Sequence, residues 1–342
     1  MIQIVWFCLV AIMITGYVVL DGFDLGAGII HLFVARTEPE RQRVLHSIGP
    51  VWDGNEVWLI AGGGTLYFAF PRLYSAAFSG FYLALMMVLW LLILRGISIE
   101  LRSHIESPIW KPFWDLVFGG SSALLALLYG AALGNVVRGV PFDSDGFFFI
   151  PLWTNFQPGL DPGIVDWYTL LIGAAAFTVL ALHGCYWVVL KTDGDLQQRS
   201  RAFGQRIWWA VVAFTAIITV VSFRLQPNVM QEFSEHVWGY VFPLLAFAGL
   251  AGMRVSSVRE LDLYAFLSSC AYLIGMLTST VFGVFPYVLP SISSQAAGLT
   301  VMNAAAPEYG LYIGLAWWIP GMALALFYSV FVYRRFAGKV AG

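Results

Sequence analysis

Residues 4–34 read IVWFCLVAIMITGYVVLDGFDLGAGIIHLFV. No Lys or Arg interrupts the run, and its only acids are Asp21 and Asp24. As a helix it rises about 45 Å at ~1.5 Å per residue, well over the ~30 Å hydrocarbon core of a bilayer. It has no basic leader and exceeds the apolar core of a secretory signal, so it reads as a retained membrane helix. The same template of about twenty mainly apolar residues recurs near 51–70, 74–97, 113–137, 164–190, 207–223, 238–253, 261–288 and 309–333. The expectation is an all-α, polytopic membrane protein of nine transmembrane helices, one integral-membrane domain over residues 1–342. Continuous runs, not alternating pieces of about ten residues, exclude barrel strands.

Composition agrees. Of 342 residues 59% are hydrophobic and 11% charged, with a mean hydropathy of +0.77. A soluble domain carries about a quarter charged residues and could not cover its surface with this set. A net charge of −2 gives no basic footprint for nucleic acid. Cys8, Cys185 and Cys270 all lie in apolar runs and signal neither a disulfide framework nor a CxxC metal site.

Nine spans place all but three of the eighteen Lys and Arg on one side, the exceptions being Arg72, Arg138 and Arg224. The positive-inside rule then sets the N-terminus outside and the C-terminus in the cytoplasm. A short echo, Asp21-Gly22 in the first span and His183-Gly184 in the fifth, suggests two four-helix bundles plus a ninth helix.

Intramembrane acids cost roughly 2.5–3.5 kcal/mol each at the bilayer centre, so they face the bundle interior, pair, or hold a proton. Asp21 and Asp24 are three apart and share a helix face with Gly28 and His31. Gly22 and Gly26 beside them form a step that admits another helix closely. Asp53 and Glu56 repeat the spacing at the start of the second span. Two readings stand together: these four acids form a protonatable path from the cytoplasm, or they bond to helix ends, Asn55 or the indoles of Trp52 and Trp58. Capping is the expectation for Asp24 and Glu56, and for Asp115 an ordinary role at a helix start.

Only His31 and His183 lie where they could reach a buried haem, and without paired-histidine spacing they read as satisfied core or interfacial residues. An aromatic share of 16% fits interfacial belts and leaves room for a quinone-tail groove. No Walker motif, dinucleotide fingerprint, nucleophile elbow or metal-ligand cluster is present, and Gly62-Gly63-Gly64 reads as close helix packing.

Two motifs go further. Asp21-Gly22-Phe23-Asp24-Leu25-Gly26-Ala27-Gly28 and Val51-Trp52-Asp53-Gly54-Asn55-Glu56-Val57-Trp58 closely resemble subunit II of cytochrome bd-type quinol oxidases. The stretches around Ser79-Gly80-Phe81, Gly134-Asn135-Val136-Val137-Arg138-Gly139 and Phe285-Pro286-Tyr287 extend the resemblance along the chain. It implies a nine-helix subunit beside a similar subunit I that carries haem b and haem d. The pair oxidises quinol and reduces dioxygen to water, drawing protons from the cytoplasm and supporting a proton-motive force. The resemblance also implies a bacterial or archaeal cytoplasmic (inner) membrane, contact with quinone and lipid, and a small single-helix partner. It places Asp53 and Asp21 on the proton route, with Asp24 and Glu56 beside them, and no haem or metal ligand in this chain. One departure is Glu56, where some relatives carry Gln. The rival expectation is a proton-coupled secondary transporter built on the same acids; a third is a scaffold whose acids only pack.

Overall fold

The computed structural model describes residues 1–293 and 297–340. In chain order the helices are α1 (Ile2–Val34), α2 (Glu38–Ile48), α3 (Trp52–Ala69), α4 (Pro71–Gly80), α5 (Tyr82–Leu101) and α6 (Trp110–Arg138). Then come α7 (Trp167–Lys191), α8 (Gly194–Leu225), α9 (Pro227–Glu235), α10 (Val241–Val258), α11 (Asp262–Val284) and α12 (Glu308–Arg335). A 3₁₀ turn, Val237–Tyr240, leads into α10, and β1 (Tyr287–Leu289) pairs antiparallel with β2 (Leu299–Thr300).

Eight helices among the described residues are long and apolar enough to cross a membrane. The second expected span is present as α3, of 18 residues, but Asp53, Asn55 and Glu56 in its first turns keep it outside that group. The third span starts later than expected. Pro71 opens a separate helix, α4, and α5 begins only at Tyr82. α4 ends at Gly80, where the Phe148 ring from the loop after α6 lies 2.1 Å from the would-be Cβ and leaves no room for a side chain. The sixth span begins at Gly194, well before residue 207, and the eighth ends at Val284, where the chain turns into the hairpin. Between the first two expected spans the chain forms the short helix α2. Its capping box is complete: Thr37 Oγ1 accepts from the Glu40 N–H while the Glu40 carboxylate accepts from the Thr37 N–H.

α1 is the axis of the molecule, packing against α3, α6, α7 and α11. From Asp21 to His31 every residue of α1 is buried, so the lower half of this helix is surrounded by protein, and no single face of it is privileged. The α1–α7 crossing is the tightest constraint. A methyl group on Gly26 would lie 2.0 Å from the Leu180 carbonyl oxygen, and one on Gly184 would lie 2.2 Å from the Gly26 carbonyl carbon. The backbones thus meet at Gly26 and Gly184, one turn along α1 from the Asp21-Gly22 dipeptide, whose Gly22 faces the side chains of Leu180 and His183.

One end of the bundle is closed by the loop after α6 and by the hairpin. The Val140 N–H donates to the Pro290 carbonyl (3.0 Å), and the Ile292 N–H donates to the Val140 carbonyl (3.0 Å). Arg138, counted above as a loop cation, is buried and pairs with Asp166, while Asn135 Nδ2 donates to the Ile164 carbonyl (2.9 Å).

Gly184→Val forces the two backbones apart, a cost of about 1–3 kcal/mol or more for overpacking a filled contact. Its melting temperature in detergent is expected several degrees below the parent, whereas Gly120→Ala, with nothing within 4 Å of its Cβ position, is expected to leave it unchanged. Equal melting of both variants would contradict the crossing.

Candidate functional site

Three helices converge on one buried guanidinium. Arg95 of α5 has no exposed side-chain surface, and it faces Asp21 of α1, equally buried, in a two-pronged contact. Arg95 Nη1 donates to Asp21 Oδ2 at 2.8 Å and Nη2 to Asp21 Oδ1 at 2.7 Å. The same Nη2 donates to Glu56 Oε2 of α3 at 2.9 Å. This fork geometry suits a planar guanidinium and fixes both partners. Removing one member of such a pair leaves an uncompensated charge, at about 3–5 kcal/mol.

Asp24 lies one turn along α1 and is also buried. Its Oδ2 accepts from Asn55 Nδ2 at 2.7 Å, while its Oδ1 is buried without a hydrogen-bond partner among the described residues. Asn55 is held from two more directions: Nδ2 donates to the Leu20 carbonyl (3.1 Å), and Oδ1 accepts from the Tyr333 hydroxyl of α12 (2.7 Å). On the other side of Asp21, the Tyr17 hydroxyl donates to that of Tyr129 at 2.9 Å. Asp53 differs from the other three acids. It is exposed in the first turn of α3 and makes no side-chain hydrogen bond or ion pair among the described residues.

The two motif segments are thus brought together, with Asp53 at the surface, Glu56 half-buried, and Asp21 and Asp24 enclosed. The sequence reading missed Arg95, which it counted among loop cations. Its signal was available: the residue is flanked by apolar positions on both sides, and an intramembrane Arg demands acids. Tyr333 carried no such signal.

A second cluster sits nearer the ends of the helices. Asp115, expected to play an ordinary part at a helix start, is an ion-pair hub. It accepts from Arg102 Nε (2.5 Å), Arg102 Nη2 (3.1 Å), His31 Nε2 (3.0 Å) and Arg41 Nη1 (3.1 Å). Arg102 also grips Glu38 of α2 at 3.0 and 2.9 Å. Burial pushes the Glu38 carboxyl up, but Arg102 and Lys111 outweigh it and hold the group below the usual carboxylate range. The network ties α2 to α5 and α6.

Neither buried histidine is set up to ligate a haem. His183 Nε2 donates to the Val19 carbonyl (3.0 Å), its Nδ1 lies 2.7 Å from Ser269 Oγ, and its ring stacks on Phe266. His31 is committed through Nε2 to Asp115, and neither ring lines the basic cavity at the ends of α2, α7 and α12 or the aromatic groove of about 720 Å³ between α3 and α12. On α9, Glu232, Glu235 and His236 lie close enough to share an ion, but Gln231 Nε2 already donates to Glu235, and Glu232 pairs with His236.

Comparison with known proteins gives one answer. The family model described as cytochrome bd terminal oxidase subunit II matches residues 2–336. The probable cytochrome oxidase subunit 2 of Haemophilus influenzae is 28% identical, covering 99% of this chain and 95% of the relative. The cytochrome bd-I ubiquinol oxidase subunit 2 of Escherichia coli K12 is 29% identical with the same coverage. The cytochrome bd ubiquinol oxidase subunit 2 of Bacillus subtilis is 29% identical over 96% of this chain and 95% of its own. Among solved structures, the bd oxidase from Geobacillus thermodenitrificans aligns with a TM-score of 0.76 at 15% identity, covering 98% of each chain, which speaks to the fold alone. With the family model spanning nearly the whole chain, and the two motif segments meeting around Arg95, this protein belongs to the cytochrome bd terminal oxidase subunit II family.

Proposed function

We propose that this chain is the haem-free half of a quinol-oxidising respiratory terminal oxidase and conducts protons from the cytoplasm toward a haem-bearing subunit I. As a family member it is a multi-pass component of a quinol oxidase complex that contains haem and a second large subunit. The observation that carries the finer reading is the graded series of acids. Asp53 stands exposed at the start of α3, Glu56 follows one turn further in, and Asp21 and Asp24 are enclosed beside Arg95 and Asn55.

With the N-terminus outside, α3 starts on the cytoplasmic side, so Asp53 is the entry and Asp24 the inner end. Asp21 is held by both of its oxygens, which suits it to fix the cluster's geometry and to exchange protons only when Arg95 lets go. Asp24 keeps one oxygen unpartnered and is the better placed of the two to hold a proton. The haems belong to subunit I in this reading, because of the two buried imidazoles His183 is bonded through both ring nitrogens and His31 is bonded to Asp115. The transporter alternative has no observation in its favour.

Subunit I is placed against α3 and α12. An exposed carboxylate at Asp53 is unsuited to lipid, Gly54, Gly63 and Gly64 have nothing within 4 Å of their Cβ positions, and of α12 only Leu311 is buried in the chain alone. The groove lined by Trp6, Phe68, Trp317 and Trp318 lies on this face and suits subunit I, a quinone tail or a lipid chain. A cytoplasmic (inner) membrane location and a small accessory helix complete the assembly in this reading.

Asp53→Asn in the intact complex is expected to slow oxygen consumption at saturating quinol by about a hundredfold, the low end of what a positioned proton-transfer group contributes, with haem content unchanged. Full turnover would remove Asp53 from the route. Asp24→Asn is expected to slow the same step while leaving quinol affinity alone, and Tyr333→Phe, which frees Asn55, is expected to have a smaller effect in the same direction. Loss of haem in these variants in place of loss of turnover would assign the acids to assembly.

A further inference from the structure

The cavity at the ends of α2, α7 and α12 is basic. Its volume is about 310 Å³, room for about ten waters at ~30 Å³ each and ample for a tetrahedral phosphate with an ester arm. His46 at the end of α2, Lys191 at the end of α7, Arg335 at the end of α12 and Lys339 beyond it line the space, and no Asp or Glu does. The cavity has a fixed shape because the segment after α12 is pinned across it. Lys191 Nζ donates to the carbonyls of Phe336 (2.6 Å) and Gly338 (3.3 Å), and the Val340 N–H donates to the Lys191 carbonyl (2.8 Å). Lys191 also stands 5.0 Å over the Trp187 ring that forms part of the wall.

Cations at this place have an ordinary reason to exist. Three helices end here, each presenting about half a negative charge through its free carbonyls, and Lys191 visibly caps those of the last segment. The magnitudes decide against capping alone. Three helix ends amount to roughly −1.5 charges, while Lys191, Arg335 and Lys339 supply three full positive ones before His46 is counted. Asp193, the acid beside Lys339, is already paired with Arg43. A surplus of positive charge therefore remains around this cavity at the point where the apolar runs of α7 and α12 stop.

We propose that this cavity binds a phosphate group, the chemistry shared by the headgroup of an anionic phospholipid and by free inorganic phosphate. Basic pockets between spans on the cytoplasmic side commonly take such headgroups. Tyr333 is shared between the wall of this cavity and the acid cluster, but none of the four acids lines the space, and its occupation does not depend on whether those acids move protons.

The test uses the purified oxidase complex, delipidated in detergent. Native mass spectrometry follows titration with phosphatidylglycerol or, as the zwitterionic comparison, phosphatidylcholine; thermal melting follows addition of inorganic phosphate. The double variant Arg335→Gln/Lys339→Gln removes two exposed cations and is expected to bind its anion about thirty-fold more weakly, at ~1 kcal/mol per basic residue. Arg335→Lys/Lys339→Arg, which keeps the charge, is expected to bind like the parent. A difference seen with phosphatidylglycerol but not inorganic phosphate assigns the lipid headgroup, and the reverse assigns the free ion. Parent and Gln variant binding all three probes equally would overturn the proposal, as would loss of binding in the charge-keeping variant.

Discussion

A guanidinium with no access to water, set among helices built to lie in lipid, has to bring its counter-charges with it. Arg95 does so by holding Asp21 with two hydrogen bonds and Glu56 with a third. That requirement fixes α1, α3 and α5 relative to one another near the same depth. It also explains why α3 can carry Asn55 and Glu56 in its first turns, since these face a protein partner in Asn55–Asp24 and Glu56–Arg95. The glycine crossing at Gly26 and Gly184 then brings α7 against the same stretch of α1 and closes the cluster from the other side.

The long helices were legible because a bilayer imposes one length and one composition on each, and the chain obeys both. The meeting of the two acidic motifs was legible from their common spacing. What the sequence hid was the pairing. Arg95 was read as a loop cation because it falls late in its apolar run, and its removal from the loop count, with Arg102 also buried, weakens the charge asymmetry without reversing it. Tyr333 reaches Asn55 across nearly the whole chain, a contact that no local pattern encodes. α2 was readable from its capping box and was overlooked, because a polar helix between two spans resembles a connecting loop by composition.

The acids divide by what holds them. Asp115 is saturated by two arginines and His31 and behaves as a rivet between α2, α5 and α6. Asp21 is nearly as constrained. Asp24 has one oxygen bonded to Asn55, and Asp53 is exposed without a side-chain partner among the described residues. Neighbouring residues of the same motifs are thus held to very different degrees.

The central claim, that the Arg95–Asp21 pair organises the membrane core, is tested most directly by a double-mutant cycle read as melting temperature of the detergent-solubilised complex. Arg95→Leu and Asp21→Leu are each expected to destabilise by about 3–5 kcal/mol, since each strands a buried charge. The double variant, which removes both charges, is expected to recover most of that loss. Losses that simply add in the double variant would contradict the account.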